Sequence, residues 1–295
     1  MIPLPLARIL SRLRPRWVAL GLVCCLGVAA VAVLATRPAP PHATFVVRAQ
    51  PSVTASAPPS PAPVESFGPP ASPPAGLEVI DYSPAPAGFP ADPAPLSTAP
   101  LTAGAHPVEQ IAAYDAPGGT PRAYLTPTIS GVPLTMPIVE RRAGWIAVIL
   151  PSANRTIAWL PPEGWSAVAL HDHLLVQRST HQLSWYRDGA LQQTWLATLG
   201  EPATPTPLGR TFVLGRSALP GKVYAGIDVL ALGAIPDNIN AVPASLRGAH
   251  IGIHSWYTDS VLGKSVSNGC VRLPQAAQRR LLSEIVPGTE VIVVD

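Results

Sequence analysis

The chain has 295 residues, a formal net charge of +3 and only 13% charged residues, so it shows no basic stripe that would point to nucleic acid as a partner. Its 38 prolines are too many for a chain that is globular throughout. Its three cysteines cannot all pair in internal disulfides.

Residues 1–16 form a short basic tail with Arg8, Arg12, Arg14 and Arg16. Val18 to Ala35 follows as an uncharged apolar run, close to the ~20 residues that cross a bilayer as a helix. The arginine bias predicts a single-pass anchor over residues 17–36, with the N-terminus cytoplasmic and the rest extracytoplasmic, on the cell-wall side. A signal peptide cleaved after Val33-Leu34-Ala35 is the alternative, but the run exceeds the usual 7–15-residue signal core. Cys24 and Cys25 read as small apolar residues of the membrane helix.

Half of the prolines lie between Pro38 and Pro107, among Ala, Ser and Thr with few aromatic or branched residues. Such composition buries too little apolar surface to offset ordering entropy, so residues 37–106 are expected to be a disordered tether. Extended at about 3.1 Å per residue, it would reach on the order of 200 Å.

Strand-like runs then begin. Val132–Val139, Trp145–Leu150 and Thr156–Leu160, separated by turn residues, predict a small all-β module over residues 107–167. Gly144-Trp145-Ile146-Ala147-Val148 and Ala158-Trp159-Leu160-Pro161 resemble the SH3-like barrels of bacterial wall proteins. The tryptophans read equally as core residues or as a ligand surface. From residue 168 to 295 further strands are expected at Leu174–Arg178, Leu183–Tyr186, Leu191–Thr198, Thr211–Leu214, Val229–Leu232, His250–His254 and Glu290–Val294. Asp188-Gly189 marks a hairpin. One late helix starts at Pro274, presents Ala276, Ala277, Leu281, Leu282 and Ile285 on one face, and ends at Pro287-Gly288. The fold class is therefore mainly β.

Cys270 is the one cysteine outside the first 25 residues. A lone exported thiol among small turn-forming residues, with a histidine upstream, is the pattern of a thiolate nucleophile and its base. His254 would end a strand facing a loop, its other ring nitrogen held by a neighbouring acceptor. Gly269 lets the backbone turn so that the amides of Gly269 and Cys270 could face an oxyanion, a contribution of about 3–4 kcal/mol. His171-Asp172-His173 has no third ligand at useful spacing, so a surface turn is expected there rather than a metal site.

His254 followed by Ser267-Asn268-Gly269-Cys270-Val271-Arg272 resembles the signature of the L,D-transpeptidase family with the YkuD-type catalytic domain. Thr204-Pro205-Thr206-Pro207-Leu208-Gly209-Arg210-Thr211 resembles that family's approach to the active site, and Gly288-Thr289-Glu290-Val291 its closing strand. The resemblance implies a β-sandwich-like domain over residues 168–295, with no cofactor and no metal. Cys270 would attack a peptidoglycan stem tetrapeptide and expel its terminal D-alanine, with His254 as general base and the Ser255 carbonyl orienting it. A side-chain amine of a second stem would resolve the thioester to a 3→3 cross-link, and carbapenems would inhibit. Ser267, Asn268, Gly269, Arg272 and Trp256 would shape the loop, the oxyanion hole and the substrate cleft. Asn268 stands where many members have histidine, and Trp256 is bulkier than the usual residue, so it would narrow or cap the cleft. Two alternatives are an L,D-carboxypeptidase or exported cysteine peptidase using water, and a non-catalytic wall-binding protein.

Overall fold

Alternating branched or aromatic and small residues build two main sheets. The computed structural model describes residues 66–82, 86–152, 155–218, 224–233 and 251–295. All of these belong to one unit spanning residues 62–295. The expected basic tail, the anchor with Cys24 and Cys25, and the first part of the tether lie outside the described residues. Among the described residues no helix is long and apolar enough to cross a membrane.

The first sheet is antiparallel and contains β1 (Ala103–Pro107), β2 (Ile111–Tyr114), β3 (Pro121–Leu125), β4 (Met136–Arg142), β5 (Trp145–Ile149), β6 (Ile157–Leu160) and β7 (Trp165–Ala169). Their order is β3-β2-β6-β5-β4-β1-β7. The second sheet contains β8 (Asp172–Gln177), β9 (Gln182–Arg187), β10 (Ala190–Leu196), β11 (Gly209–Ser217), β12 (Val229–Leu232), β13 (Gly252–Ser255), β14 (Val271–Leu273) and β15 (Glu290–Val294). Their order is β10-β9-β8-β15-β11-β12-β13-β14. The pairs β8·β15 and β13·β14 are parallel, and the others antiparallel. The β9–β10 hairpin turns at Asp188 and Gly189, with φ of 49° and 76°, as its primed turn demands. Helix α1 (Gln275–Glu284) follows Pro274 and buries Ala277 and Leu281, while Ala276 stays exposed. It also buries Gln278, whose side-chain amide donates to the carbonyls of Asp228 (2.9 Å) and Ile253 (3.0 Å). The helix therefore braces β13 through polar bonds as well as by packing.

The proline-rich stretch departs from expectation. Residues 66–82 and 86–102 are seated on the first sheet instead of hanging as a tether. Glu78 and Ile80 bond the backbone of Tyr124 at 2.8 and 2.9 Å, extending the sheet beyond β3. Tyr114 Oη donates to the Ala71 carbonyl at 2.8 Å. Phe67 packs on a cluster of Tyr114, Trp145, Ile157 and Trp159. Composition misleads here because a few large residues suffice: Ile80 and Phe89 are buried, and Tyr82 and Leu101 pack on the same core. Trp145 and Trp159 are buried core residues, with Tyr114 edge-on to Trp145 at 5.1 Å.

The two sheets share a core. Phe212 and Leu214 of β11 belong to the cluster formed by Leu134, Met136, Ile146 and Val148 of the first sheet region. Beside it, Asp92 accepts two bonds from the guanidinium of Arg210, and both side chains are buried. Glu290 lies on the same face of the next strand and accepts the amide of Leu101 at 3.0 Å. The segment before β1 is thus pinned to the second sheet by charge as well as by apolar contact.

His171-Asp172-His173 does not form a surface turn. Asp172 is buried in β8 and accepts from Trp185 Nε1 (2.7 Å) and Arg187 Nε (2.8 Å). His173 stacks on Tyr186 with centroids 4.6 Å apart. Only His171 is exposed, paired with Asp188 at 2.7 Å. The alternation of β8 buries what the local polarity suggested would face water.

Candidate active site

Side-chain alternation on three short strands builds the site. Leu230 of β12, Ile253 of β13 and Val271 and Leu273 of β14 point into one core. Ile253 pairs with Val271 and His254 with Arg272, which sets Cys270 beside Gly252 at the entrance to β14. The period-2 rule then puts His254, Cys270 and Arg272 together on the opposite face. The Gly252 backbone favours the ionised form of the thiol.

His254 is buried, and its Nδ1 lies 2.7 Å from the Ser255 carbonyl oxygen. A carbonyl can only accept, so Nδ1 carries the proton and Nε2 keeps the lone pair. Ser255 is held in turn by its hydroxyl, which donates to the Tyr224 carbonyl at 2.8 Å. Tyr224 packs edge-on to the His254 ring at 5.0 Å. Burial pushes the imidazole down to about 4, and the positive charge of Arg272 adds to this against the opposing Ser255 bond. Burial also pushes the Cys270 thiol up, and the Gly252 backbone and Arg272 only partly oppose it. The resting pair is therefore a neutral thiol and a neutral imidazole, so the thiol needs a base to become the nucleophile.

The loop before Cys270 is stapled by one side chain. Ser267 Oγ accepts the Gly269 amide at 3.2 Å and donates to the Cys270 carbonyl at 2.6 Å. The Gly269 amide is thus occupied by the Ser267 hydroxyl. Gly269 has φ of 108°, and a Cβ there would sit 2.9 Å from Ile251. The Thr-Pro run folds beneath this loop. Thr204 Oγ1 and the Glu201 amide both donate to the Ser267 carbonyl, at 3.3 and 2.9 Å. Gly200 is needed because a Cβ would lie 2.2 Å from the Thr204 oxygen.

Trp256 does not stand alone as a cap. Its ring carries the Arg272 guanidinium 3.8 Å from the centroid and tilts against His254 at 6.0 Å. Arg272 also exchanges both backbone bonds with Thr198 at 2.9 Å, while its buried Nε has no hydrogen-bond acceptor among the described residues. Asn268 is exposed. Tyr224, Thr198 and Gln278 are site supports that the sequence did not single out, since each stands alone with no motif around it.

Residues 171–293 match the family model of the YkuD L,D-transpeptidase catalytic domain. That segment is similar to the YkuD-type domain. A putative L,D-transpeptidase YkuD of Bacillus subtilis is 26% identical over 121 residues, 41% of this chain and 65% of the relative. A putative L,D-transpeptidase YqjB of the same organism is 26% identical over 129 residues, 42% of this chain and 71% of the relative. The chain thus spans just under two thirds of the length of the YkuD relative. Among solved structures, an L,D-transpeptidase from Mycobacterium smegmatis aligns with a TM-score of 0.35 at 17% identity, covering 48% of this chain and 74% of that one.

The two perturbed buried groups give stability opposite pH slopes. Burial holds Glu290 at about 7, above its ordinary 4.5, so its contribution is full below about 4.5 and is lost as pH rises to about 7. His254 lies below its ordinary 6.5, so its contribution is full above 6.5 and is lost as pH falls to about 4. Each is worth about 3 kcal/mol at about 1.4 kcal/mol per pKa unit. Between pH 4.5 and 6.5 the two oppose each other. Urea unfolding across that window should show Glu290→Gln gaining stability with rising pH and His254→Gln losing it, relative to a flatter wild type. Parallel slopes in all three proteins would refute the assignment.

Proposed function

We propose that the protein is an L,D-transpeptidase acting on peptidoglycan stem peptides through a Cys270 thioester. The observation that carries this is the pairing of Cys270 and His254 on one sheet face, with the histidine tautomer fixed by Ser255, inside the YkuD-type segment. His254 Nε2 takes the thiol proton as Sγ attacks the tetrapeptide carbonyl, and the same proton leaves on the amine of the departing D-alanine. The Cys270 amide would face the oxyanion. A side-chain amine of a second stem then attacks the thioester, His254 accepts its proton, and a 3→3 cross-link forms while the thiol is restored. The residues use no cofactor in this scheme.

We also propose residues 17–36 as a membrane anchor that places the YkuD-type domain on the cell-wall side. The uncharged run behind four arginines supports this. The residues between it and Ser66 would be the tether, shorter than composition alone suggests.

Incubation with purified disaccharide-tetrapeptide tests the reaction. Cross-linked dimers absent from Cys270→Ala support transfer. Tripeptide alone would mean that water is the acceptor, and no product together with no carbapenem adduct on Cys270 would leave only wall binding.

A further inference from the structure

Arg272 stands in the middle of β14, two residues after Cys270, and pairs with His254 of β13. Val271 and Leu273 point into the core, so the arginine side chain leaves the sheet on the face of the nucleophile and its base. Alternate Cα positions of a strand are only about 7 Å apart, well within the reach of a guanidinium. The guanidinium lies 3.8 Å from the centroid of the Trp256 ring, and the same indole lies 6.0 Å from the His254 ring. Trp256 is backed in turn by Tyr224 at 6.4 Å and Tyr257 at 5.4 Å. One aromatic wall thus holds the arginine beside the general base.

This half-buried charge lacks a counter-charge. Its Nε is buried with no hydrogen-bond partner among the described residues, and none of their carboxylates forms an ion pair with it. Arg187 and Arg210, also withdrawn from water, are paired with Asp172 and Glu284 and with Asp92. The indole takes the flat face of the Arg272 guanidinium and leaves the N–H groups at its edge as donors. A planar fork of that kind matches a carboxylate. Burial pushes the guanidinium's pKa down, and a bound anion would reverse that.

We propose that Arg272 binds the free C-terminal carboxylate of the departing residue, so that a donor must end one residue beyond the attacked carbonyl. That carboxylate is two bonds from the scissile nitrogen. Covalent geometry therefore fixes its distance from Cys270 Sγ, whatever side chain the residue bears. A peptide that continues further presents an amide there and leaves the guanidinium desolvated and unpaired. Binding the carboxylate also holds the leaving amine where His254 returns its proton. The proposal rests on Cys270 acting on stem peptides, and it names the group by which the site reads them.

Calorimetric binding to the full chain carrying Cys270→Ala, which cannot react, tests this. The probes are the stem tetrapeptide ending in D-alanine and the same peptide ending in D-alaninamide. The acid should bind about tenfold or more tightly, the range of a hydrogen bond between charged groups. That comparison needs no change at Arg272, so it stands even if an Arg272 variant does not fold. Adding Arg272→Gln should abolish the preference, and Arg272→Lys should retain part of it, keeping the charge without the fork. With Cys270 intact, Arg272→Gln should raise KM for the acid about tenfold or more and leave kcat within about threefold, since the carboxylate is held alike in ground and transition states. Equal binding of acid and amide overturns the proposal, as does binding of neither. So does a preference that survives Arg272→Gln, or an equal fall for both peptides, which loss of the Trp256 stack alone would give. A preference for the acid that Arg272→Gln abolishes, in a protein whose wild type forms neither dimers nor tripeptide, keeps Arg272 in this role and removes the transpeptidase reading instead.

Discussion

Replacing His254 by alanine is expected to slow acylation of Cys270 about 10²–10⁴-fold at pH 7, the range that a positioned general base supplies. The size follows from the resting state. Burial keeps the thiol protonated, so no standing thiolate is present to react once the imidazole is gone. The loss should shrink as pH rises and the thiol ionises by itself. In the wild type the imidazole titrates near 4, so acylation should persist through pH 5–6 and fall only as His254 protonates below that. A histidine at its ordinary value would shut the reaction down around 6.5 instead. The measurement is carbapenem adduct formation on the Cys270 peptide across pH 4–9 in both proteins. Acylation of the alanine variant at the wild-type rate would end the mechanism proposed above. So would a wild-type acid limb near 6.5.

Asp92→Ala should cost about 3–5 kcal/mol at acidic pH, because it leaves a buried guanidinium without its carboxylate. Arg210 and Asp92 are both almost fully buried, and Arg210 also bonds the Pro95 carbonyl at 2.7 Å through its amide. Glu290 makes the cost depend on pH. Below about 5 it is protonated and cannot replace the lost charge, while the removal of Asp92 takes away one of the influences holding its pKa up. As pH rises Glu290 ionises beside Arg210 and takes over part of the pairing. Urea unfolding at pH 5 and pH 8 should therefore give a larger loss at pH 5. A loss under about 1 kcal/mol at both values would place the 92–101 segment in water, as an unpaired surface arginine would show. A larger loss at pH 8 would contradict the role given to Glu290.

Much of the second sheet was legible in advance because its cues are local. The Asp188-Gly189 turn, the apolar runs at Val229–Leu232 and Glu290–Val294, and the Pro274 start of α1 each need only a few neighbouring residues to be read. Cys270, His254 and the Ser255 carbonyl also stood out, since a lone thiol, a strand-ending histidine and a family motif coincide there. What failed was any inference from average polarity. His171-Asp172-His173 looked like a turn, yet two of the three are buried in β8. Residues 66–82 and 86–102 looked like tether, yet a handful of apolar side chains and Asp92 hold them on the sheets.

The sequence by itself determined the mainly β class and the order of the strands along the second half, and it singled out Cys270 and His254 as the candidate nucleophile and base. All of these depend on periodicity and on motifs that sit close together in the chain. Tertiary structure alone decided the protonation of the pair, since burial shifts both groups and burial is a property of the assembled face. It alone brought Tyr224 against His254 and set Arg272 on Trp256. It also brought Asp92, 118 positions before Arg210 in the chain, onto the guanidinium of that residue. Contacts between residues so far apart depend on how the sheets pair and pack, and no local pattern of side chains encodes that pairing.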